Sequence, residues 1–407
     1  MRDVLLYFAA ECLSYLDAEL LVRQREAIIF LELSAMSELS STSVAPADLL
    51  EQTPLALHFL AGEPDLPIAR YRGALAIRAF AGAGAELAAL TRHAGVFDLG
   101  YRAFVKITGS DRVRWLNGMV SNTIVALEEG QGNYSFLLNA QGRILGDADI
   151  SRFSDHLLLE TDRSQLAALI AHLDHFIIMD DVELQPLDAS ATALGIAGTA
   201  AAQVLAELGF TVPRENESTA SKWQSADAVL THGHSPLVPR FEIRIDTASA
   251  PALWAALVAA GAVPAGSAAI EALRILEGTP LYGVDIRDRH LPQETAQAQA
   301  LNFSKGCYLG QEIVERIRSR ATVHRTLRQF ALAALPAQPA AGETLPLNAE
   351  GAERNPVGEL SSVAEYDLPG FTGTVALGFI RTEVLERKQP ITCEEIAVTL
   401  LDAPPGI

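Results

Sequence analysis

The chain has 407 residues, 49% of them apolar and 20% charged, which is enough for two or three domains and excludes a disordered polymer. Fifty acidic residues against 31 basic ones give a net charge of −19, so the surface should repel nucleic acid and anionic membranes unless a local basic patch intervenes. The cysteines Cys12, Cys307 and Cys393 lie far apart and are odd in number, which argues against a disulfide framework and predicts a reducing, cytoplasmic location.

Residues 1–52 are predicted to form a helical N-terminal extension, because apolar residues recur at roughly helical spacing before a serine-rich break at residues 37–43. The segment is either an upstream extension or a partner-binding helix, and we favour the first. No apolar run approaches the ~20 residues that a bilayer span needs, and no cleavage site follows the start, so we expect neither a membrane helix nor a signal peptide.

Residues 53–183 are predicted to form an α+β domain, because strands and helices alternate without a steady βαβ rhythm. A strand over 104–109 leads to Ser110, which is predicted to cap a helix over 111–119. Asn139 to Gly142 is typical of a tight turn that joins two strands of a hairpin.

Residues 184–322 are predicted to form a second α+β domain. The alternation over 241–245 indicates a half-buried strand, whereas the polar stretch 213–225 is expected to be a loop. Residues 323–407 contain short apolar runs separated by Pro and Gly, which predicts a small antiparallel β-barrel or sandwich.

The segment 305–312 combines a thiol with a lysine and two glycines, just before a helix-like run at 313–318. A cation and a helix entrance beside Cys307 should favour the thiolate, which is the reactive and metal-binding form. The alternative is an unreactive packing cysteine. The segment consists of Cys307 and Leu309 with the motif residues Lys305, Gly306, Tyr308, Gly310, Gln311 and Glu312.

This Lys-Gly-Cys-Tyr-x-Gly-Gln-Glu segment resembles the signature of the YgfZ family of folate-binding proteins, relatives of the glycine-cleavage aminomethyltransferase (T-protein). Further family-like stretches follow in the right order at residues 94–99, 107–111, 141–147, 274–280 and 291–294. The resemblance covers the chain from about residue 53. It implies a T-protein-like clover of three domains: two mixed α/β half-domains, the first binding folate, and a C-terminal antiparallel β-barrel, around a central folate channel.

The resemblance also implies a set of folate-binding residues. Asp147 should be a carboxylate facing the folate cavity, and Arg274 matches an arginine that contacts folate in aminomethyltransferases. Tyr101, Arg102 and Tyr134 could line a pterin site, in part by stacking. The alternatives are a turn or strand-end aspartate, a strand-end arginine paired with a local carboxylate, and ordinary packing for the other three.

Two positions depart from the aminomethyltransferase pattern. Gly146 stands where those enzymes have the first of two adjacent aspartates, and Val238 stands where a glutamate grips the pterin. A valine can neither hold charge nor accept a hydrogen bond from the pterin. Both departures count against a functioning aminomethyltransferase.

A basic island follows Cys307 in this acidic chain, and it is either a solvated charged face or an anion-binding surface. The fork of an arginine side chain matches carboxylates and phosphates. We rank the glutamate tail of folate ahead of an RNA backbone as its ligand. The predicted anion-binding residues are Arg316, Arg318 and Arg320, with Arg325 and Arg328 nearby. No metal-ligand spacing is present.

By resemblance, the chain is expected to bind tetrahydrofolate and to support the assembly or repair of iron–sulfur enzymes, including those that modify tRNA. Cys307 would be its functional thiol, folate and iron–sulfur enzymes its partners, and neither nucleic acid nor membrane is expected to bind directly. One alternative is a folate-dependent aminomethyltransferase or demethylase, and another is a scaffold that has lost folate binding.

Overall fold

A computed structural model describes residues 50–187, 190–320, 323–336, 343–349 and 356–406. The predicted N-terminal helical extension, residues 1–52, lies outside the described residues except for its last three positions. Within the described ranges, no helix is long and apolar enough to cross a membrane.

The first part of the chain forms a five-stranded antiparallel sheet whose strand order is β5-β6-β7-β4-β8. Helices α3 and α4 cover one face of it, and Trp115 and Leu169 pack there against Val105 and Leu159. The elements are α1 (Pro54–Gly62), β1 (Ile68–Tyr71), β2 (Ala74–Ile77), α2 (Ala83–Arg92), β3 (Gly95–Asp98), β4 (Arg102–Thr108), α3 (Arg112–Met119), β5 (Gly132–Leu138), β6 (Ile144–Arg152), β7 (Leu157–Asp162), α4 (Arg163–Asp174) and β8 (Glu183–Pro186).

The second part forms a six-stranded sheet of order β10-β11-β12-β9-β3-β13. Because β3 precedes the first sheet in sequence, the two halves interleave, and the domain boundaries given above stay predictions. The elements are β9 (Ala191–Ala197), α5 (Ala201–Glu207), β10 (Ser218–Trp223), β11 (Ala226–Gly233), β12 (Arg240–Asp246), α6 (Ala250–Ala259), β13 (Val263–Ala265), α7 (Ser267–Leu276), two short 3-10 turns (Pro292–Glu294 and Ala298–Ala300) and α8 (Gln311–Arg320).

The C-terminal part closes into an antiparallel barrel of order β14-β17-β16-β15-β18-β19. Tyr366 and Val375 of the barrel share one core with Phe104 of the first sheet and Ala193 of the second. The predicted α+β class with a C-terminal antiparallel barrel is therefore confirmed. The elements are β14 (Arg325–Leu332), β15 (Leu345–Ala349), β16 (Gly358–Leu368), β17 (Phe371–Arg381), α9 (Thr382–Arg387), β18 (Ile391–Cys393) and β19 (Ile396–Leu401).

Two local predictions are wrong. Ser110 does not cap the helix that follows, because its hydroxyl donates to Asp181 Oδ2 at 2.8 Å and the N-cap position belongs to Asp111. The stretch 213–225 is not all loop, since it contains β10, which lies at the edge of the second sheet and pairs with β11. A polar edge strand buries few side chains, so it lacks the apolar pattern by which strands are recognised.

Candidate functional site

The two sides of the first sheet differ in chemistry because side chains alternate along each strand. On β6, Ala148 and Ile150 pack under the helices, so Asp147 and Asp149 lie on the opposite face. On β7, Glu160 occupies the same face, since Asp149 is its cross-strand partner. This side of the sheet, which we call the charged face, points toward the second sheet.

Arg102 holds the carboxylates of the charged face together. Its guanidinium donates from Nε to Glu160 and from Nη1 to Asp162, each at 2.7 Å, and from Nη2 to Asp149 at 2.9 Å. The side chains of Arg102 and Asp162 are 11% and 3% exposed, whereas that of Asp149 is 57% exposed. Arg102 is thus fully engaged by protein carboxylates, and Asp149 keeps surface available to a ligand.

The second sheet brings its own charges to the same interface. Arg240 and Glu242 of β12 pair at 3.1 Å, and the Arg244 guanidinium lies 5.8 Å from the ring centroid of Phe104 on the first sheet. On neighbouring β9, a Cβ at Gly195 would stand 2.0 Å from the Phe97 ring, so glycine at this position leaves room for the side chain of its cross-strand partner on β3.

Glu160 and Glu242 form a carboxyl pair across this interface. Burial, and next the charge of Glu242, raise the pKa of Glu160 to about 8. Burial disfavours the ionised form of Glu242. The charges of Arg240 and Arg102 oppose this effect and hold the pKa of Glu242 below its usual range. Two adjacent carboxylates cannot both ionise cheaply, so the pair shares one proton near neutral pH.

Asp147 lies on the charged face, and its contact with folate stays a prediction. Its Oδ2 accepts from the Tyr134 hydroxyl at 2.7 Å and its Oδ1 from Gln165 Nε2 at 2.8 Å. Burial, followed by the charge of Asp162, raises the pKa of Asp147. Each carboxylate oxygen can accept more than one hydrogen bond, so Asp147 can also receive a ligand donor.

Tyr101 lies at the junction of the two sheets and is 1% exposed. Its ring packs edge-on against Tyr71 at 4.8 Å, and the Arg72 guanidinium lies 5.4 Å from its centroid. Among the described residues, the hydroxyls of Tyr71 and Tyr101 and Nε of Arg72 are buried without a hydrogen-bond partner. A buried polar group without a hydrogen-bond partner lowers the stability of the fold by about 1–3 kcal/mol. We therefore expect a ligand or a water molecule to form hydrogen bonds with these three atoms.

Arg274 is not at a strand end but in helix α7, where it is 2% exposed. It pairs with Glu271 and, at 2.8 Å, with Asp285, and it also donates to the Thr279 carbonyl and the Ser362 hydroxyl. These contacts use all five N–H donors of its fork. The folate contact of Arg274 stays a prediction that would require these bonds to rearrange.

The motif loop is anchored on the first half of the chain by Lys305. Its ammonium donates to the backbone carbonyls of Asn117, Val120 and Asn122, each at 2.6 Å. Burial lowers the pKa of Lys305 to about 7, while the three carbonyl oxygens favour the charged ammonium. Lys305 therefore fixes the loop, and Cys307 two residues later is exposed.

The rest of the motif continues this anchoring. Tyr308 is buried at 8% exposure, and its backbone N–H donates to Gln311 Oε1 at 3.3 Å. Gly306 and Glu312 are exposed. The loop thus presents a thiol between a half-buried lysine and a buried tyrosine.

Two glycines join the motif loop to the hairpin at residues 139–142. Gly310 has a φ of +82°, and a Cβ there would stand 2.6 Å from the Asn139 carbonyl oxygen. A Cβ on Gly142 would stand 2.8 Å from Ile313 Cβ at the start of α8. The two sequence motifs that carry the resemblance therefore touch at positions where only glycine fits.

The described arginines of the predicted basic island make different contacts. Arg316 is exposed, Arg318 packs 4.4 Å from the Phe303 ring centroid, and the side chain of Arg320 lies outside the described part. Arg325 turns away to pair with Glu294 at 3.0 Å. Anion binding by Arg316, Arg318 and Arg320 stays a prediction. Over the residues that the structure covers, no group of three potential metal ligands occurs.

Several residues of the interface escaped the sequence analysis, namely Arg72, Asp149, Glu160, Arg240 and Glu242. A usable signal was present, since charged residues alternate with apolar ones over 147–150 and 240–246. Such strands are normally half exposed, and nothing in one sequence shows that two of them face each other.

Two α+β halves that enclose a charged interior, with a β-barrel packed against them, define a protein of the aminomethyltransferase class in architecture. The family model described as the GCVT N-terminal domain matches residues 68–305. The tRNA-modifying protein YgfZ of Yersinia enterocolitica is 34% identical over 60% of this chain and 72% of its own length. The aminomethyltransferase of Anoxybacillus flavithermus is 28% identical over 59% of this chain and 68% of its own length.

Among solved structures, the glycine cleavage system aminomethyltransferase T from Bartonella henselae has a TM-score of 0.76 with 22% identity. The match covers 87% of this chain and 98% of that one, which confirms the T-protein-like fold. The chain belongs to the superfamily that unites the YgfZ proteins with the aminomethyltransferases.

Proposed function

We propose that this chain binds tetrahydrofolate between the inner faces of its two sheets. We further propose that, as a YgfZ-type protein, it supports iron–sulfur enzyme assembly or repair and, through it, tRNA modification. The observation that carries the folate proposal is the cluster of three buried, unpartnered polar atoms on Tyr71, Arg72 and Tyr101.

The residues at the interface fit a reduced pterin. The Tyr71 and Tyr101 hydroxyls and the Arg72 Nε–H can donate to the ring carbonyl and ring nitrogens of a pterin. The amino and ring N–H groups of the pterin can donate hydrogen bonds to the carboxylates of Asp147 and Asp149. Tetrahydrofolate, when bound, supplies a carrier for a one-carbon unit.

We propose that Cys307 is the reactive residue of the motif. Its exposure makes the thiol accessible to a partner protein, and Lys305 holds its loop in place. We propose that the thiol acts on a client's iron–sulfur cluster or on a folate-derived one-carbon unit. A strain lacking this protein should regain iron–sulfur enzyme activity with the wild type but not with Cys307→Ala. Full rescue by the variant would remove the thiol from the function.

Folate binding is tested by calorimetric titration of the whole chain with tetrahydrofolate. Tyr101→Phe removes an unpartnered hydroxyl, so it should weaken binding about 3- to 10-fold and slightly raise the melting temperature of the free protein. Tyr366→Phe is the matched control, because that hydroxyl donates to the Ala272 carbonyl at 2.7 Å and should leave the affinity unchanged. Absence of binding to the wild type would reject the proposal in favour of a scaffold.

A folate-dependent aminomethyltransferase or demethylase stays a second candidate because of the packing at Gly146. A Cβ there would stand 2.7 Å from Gln165 Oε1 and 2.8 Å from the Leu169 side chain, so position 146 points under helix α4. An acid at that position would not face the interface, and Asp147 does.

The loop around Val238 contains the second departure from the aminomethyltransferase pattern, so it also concerns this second candidate function. Val238 is buried in the shared core, but Ser235 in this loop donates to Glu277, a carboxylate that is 5% exposed. Formation of methylene-tetrahydrofolate from an aminomethylated lipoyl carrier protein would favour the aminomethyltransferase.

A further inference from the structure

The loop that follows helix α4 exposes two neighbouring apolar side chains, Ile178 and Met179, which we call the apolar tip. They are 83% and 94% exposed, more than any other large apolar side chain that the structure describes. Single exposed apolar residues are common on protein surfaces, but two adjacent ones at this exposure contribute nothing to the core of their own fold. A partner that covered the tip would remove this apolar surface from water.

The loop that carries the apolar tip is fixed on both sides. Before the tip, Trp115 Nε1 of helix α3 donates to the Phe176 carbonyl at 3.2 Å. After the tip, Asp181 Oδ2 accepts from the backbone N–H and from the hydroxyl of Ser110, both at 2.8 Å. A loop that is already ordered loses little conformational entropy when a partner covers it, which is the property of a preorganised binding surface.

Helix α3 connects the apolar tip to the exposed thiol. Arg114 pairs with Asp180 of the tip loop at 2.5 Å, and one helical turn later the Gly118 carbonyl accepts from Leu309 N of the motif loop at 3.0 Å. Residues four apart lie on the same side of a helix, about 6 Å from each other along its axis. A Cβ on Gly118 would meet open space, so this side of the helix is free. A standard interface, which buries roughly 800 Å² per partner, is wide enough to cover both the tip and Cys307.

The surroundings of the apolar tip are negatively charged. The segments 110–114 and 174–183 contain five carboxylates, which we call the acidic rim, and two arginines. Arg114 is held by two of these carboxylates, and Arg112 donates to two backbone carbonyls. Such a surface repels phosphates and complements basic side chains. The acidic rim consists of Asp111, Asp174, Asp180, Asp181 and Glu183.

We propose that the apolar tip and its acidic rim dock a basic protein, and that this partner is the iron–sulfur client on which Cys307 acts. This inference rests on the proposed function. An enzyme that modifies tRNA presents a positive surface to the phosphates of its substrate. This chain, with its net charge of −19, would be repelled by tRNA and attracted to that surface. The partner would cover the tip with apolar side chains and place basic side chains opposite the rim.

The first test is rescue of a strain that lacks this protein, measured as the activity of an iron–sulfur enzyme that modifies tRNA. Ile178→Ser combined with Met179→Ser should lower the rescue about threefold or more, because the tip no longer gains by leaving water. The melting temperature, the affinity for tetrahydrofolate and the alkylation rate of Cys307 should not change, since both side chains are exposed. Leu57→Ser combined with Ile68→Ser is the matched control, at side chains 57% and 41% exposed on α1 and β1, and should rescue fully.

The second test identifies what covers the apolar tip in the cell. A photo-crosslinking amino acid at position 179 of the full chain should form an adduct with an iron–sulfur enzyme of basic isoelectric point. The same amino acid at position 68 should not form this adduct. Asp174→Lys combined with Glu183→Lys should weaken the adduct, because both substitutions place a positive charge opposite the basic partner.

The outcomes separate this inference from the proposed function. If Cys307→Ala rescues fully, the proposed role of the thiol fails. If Cys307→Ala does not rescue but the tip variant rescues like the wild type, the docking surface is overturned while the role of the thiol stands. Absence of an adduct at position 179 would also overturn it. An adduct with a second copy of this chain would assign the tip to a dimer interface instead, and an adduct with tRNA would assign it to nucleic acid.

Discussion

Arg102→Gln is the sharpest perturbation of the charged face. It leaves Glu160, which is 13% exposed, without its hydrogen-bonded cation, while Asp162, which is 3% exposed, keeps the longer contact to Arg72 Nη1 at 3.6 Å. Removing one partner of a buried pair costs about 3–5 kcal/mol, because the remaining charge stays desolvated. The bond to the more exposed Asp149 should add little. We expect the free energy of unfolding to fall by this amount at about pH 8.5 in urea titrations.

The loss of unfolding free energy in Arg102→Gln should depend on pH in a defined direction. A carboxyl whose pKa is raised by folding stabilises the protein fully below its unfolded pKa, and that contribution is lost as the pH rises through the folded value, here about 8 for Glu160. Loss of Arg102 should raise the pKa of Glu160 further. The variant should therefore lose less unfolding free energy, relative to the wild type, at about pH 5.5 than at about pH 8.5. Arg214→Gln, an exposed arginine, should cost less than about 0.5 kcal/mol at both. Equal deficits for Arg102→Gln at the two pH values would refute the buried carboxyl pair.

Four further variants test the motif loop. Gly310→Ala should cost about 2–4 kcal/mol, because φ is +82° and a carbonyl oxygen lies 2.6 Å from the new Cβ, whereas Gly306→Ala in open space should be nearly neutral in thermal unfolding. Cys307→Ser should leave the melting temperature unchanged, and mass spectrometry of the alkylated native protein should find label on Cys307 but not on the buried Cys393. Lys305→Met leaves three carbonyls unpaired, so it should lower the melting temperature and speed alkylation of Cys307; an unchanged rate would mean that the lysine does not hold the loop.

Much of the architecture could be predicted from local patterns. The hairpin turn forms as expected, with Gly142 N donating to the Asn139 carbonyl at 2.9 Å, because its residues suit a tight turn. The helix after Cys307 and the barrel strands follow from apolar periodicity and from Pro and Gly punctuation. Each of these features is decided by a few neighbouring residues.

The candidate site could be predicted only in part, because its contacts are long-range. A motif predicts Asp147, whose folate contact stays a prediction, but Glu160 and Glu242 are 82 positions apart and become partners only when two sheets face each other. Arg274 is matched by its motif to a folate contact, yet the apolar face of its helix buries it beside Asp285. The orphan hydroxyls of Tyr71 and Tyr101 are visible only once the surrounding donors and acceptors are counted.

The distribution of charge indicates which end of a folate would enter the interior. Asp147, Asp149 and the Glu160–Glu242 pair outnumber the arginines that are left for a ligand, since Arg102 is already held by three carboxylates. Such an interior favours a group rich in N–H donors and disfavours added carboxylates. A pterin is rich in N–H donors, whereas a glutamate tail adds carboxylates. We therefore expect the pterin to enter the interior and the tail to point away from it.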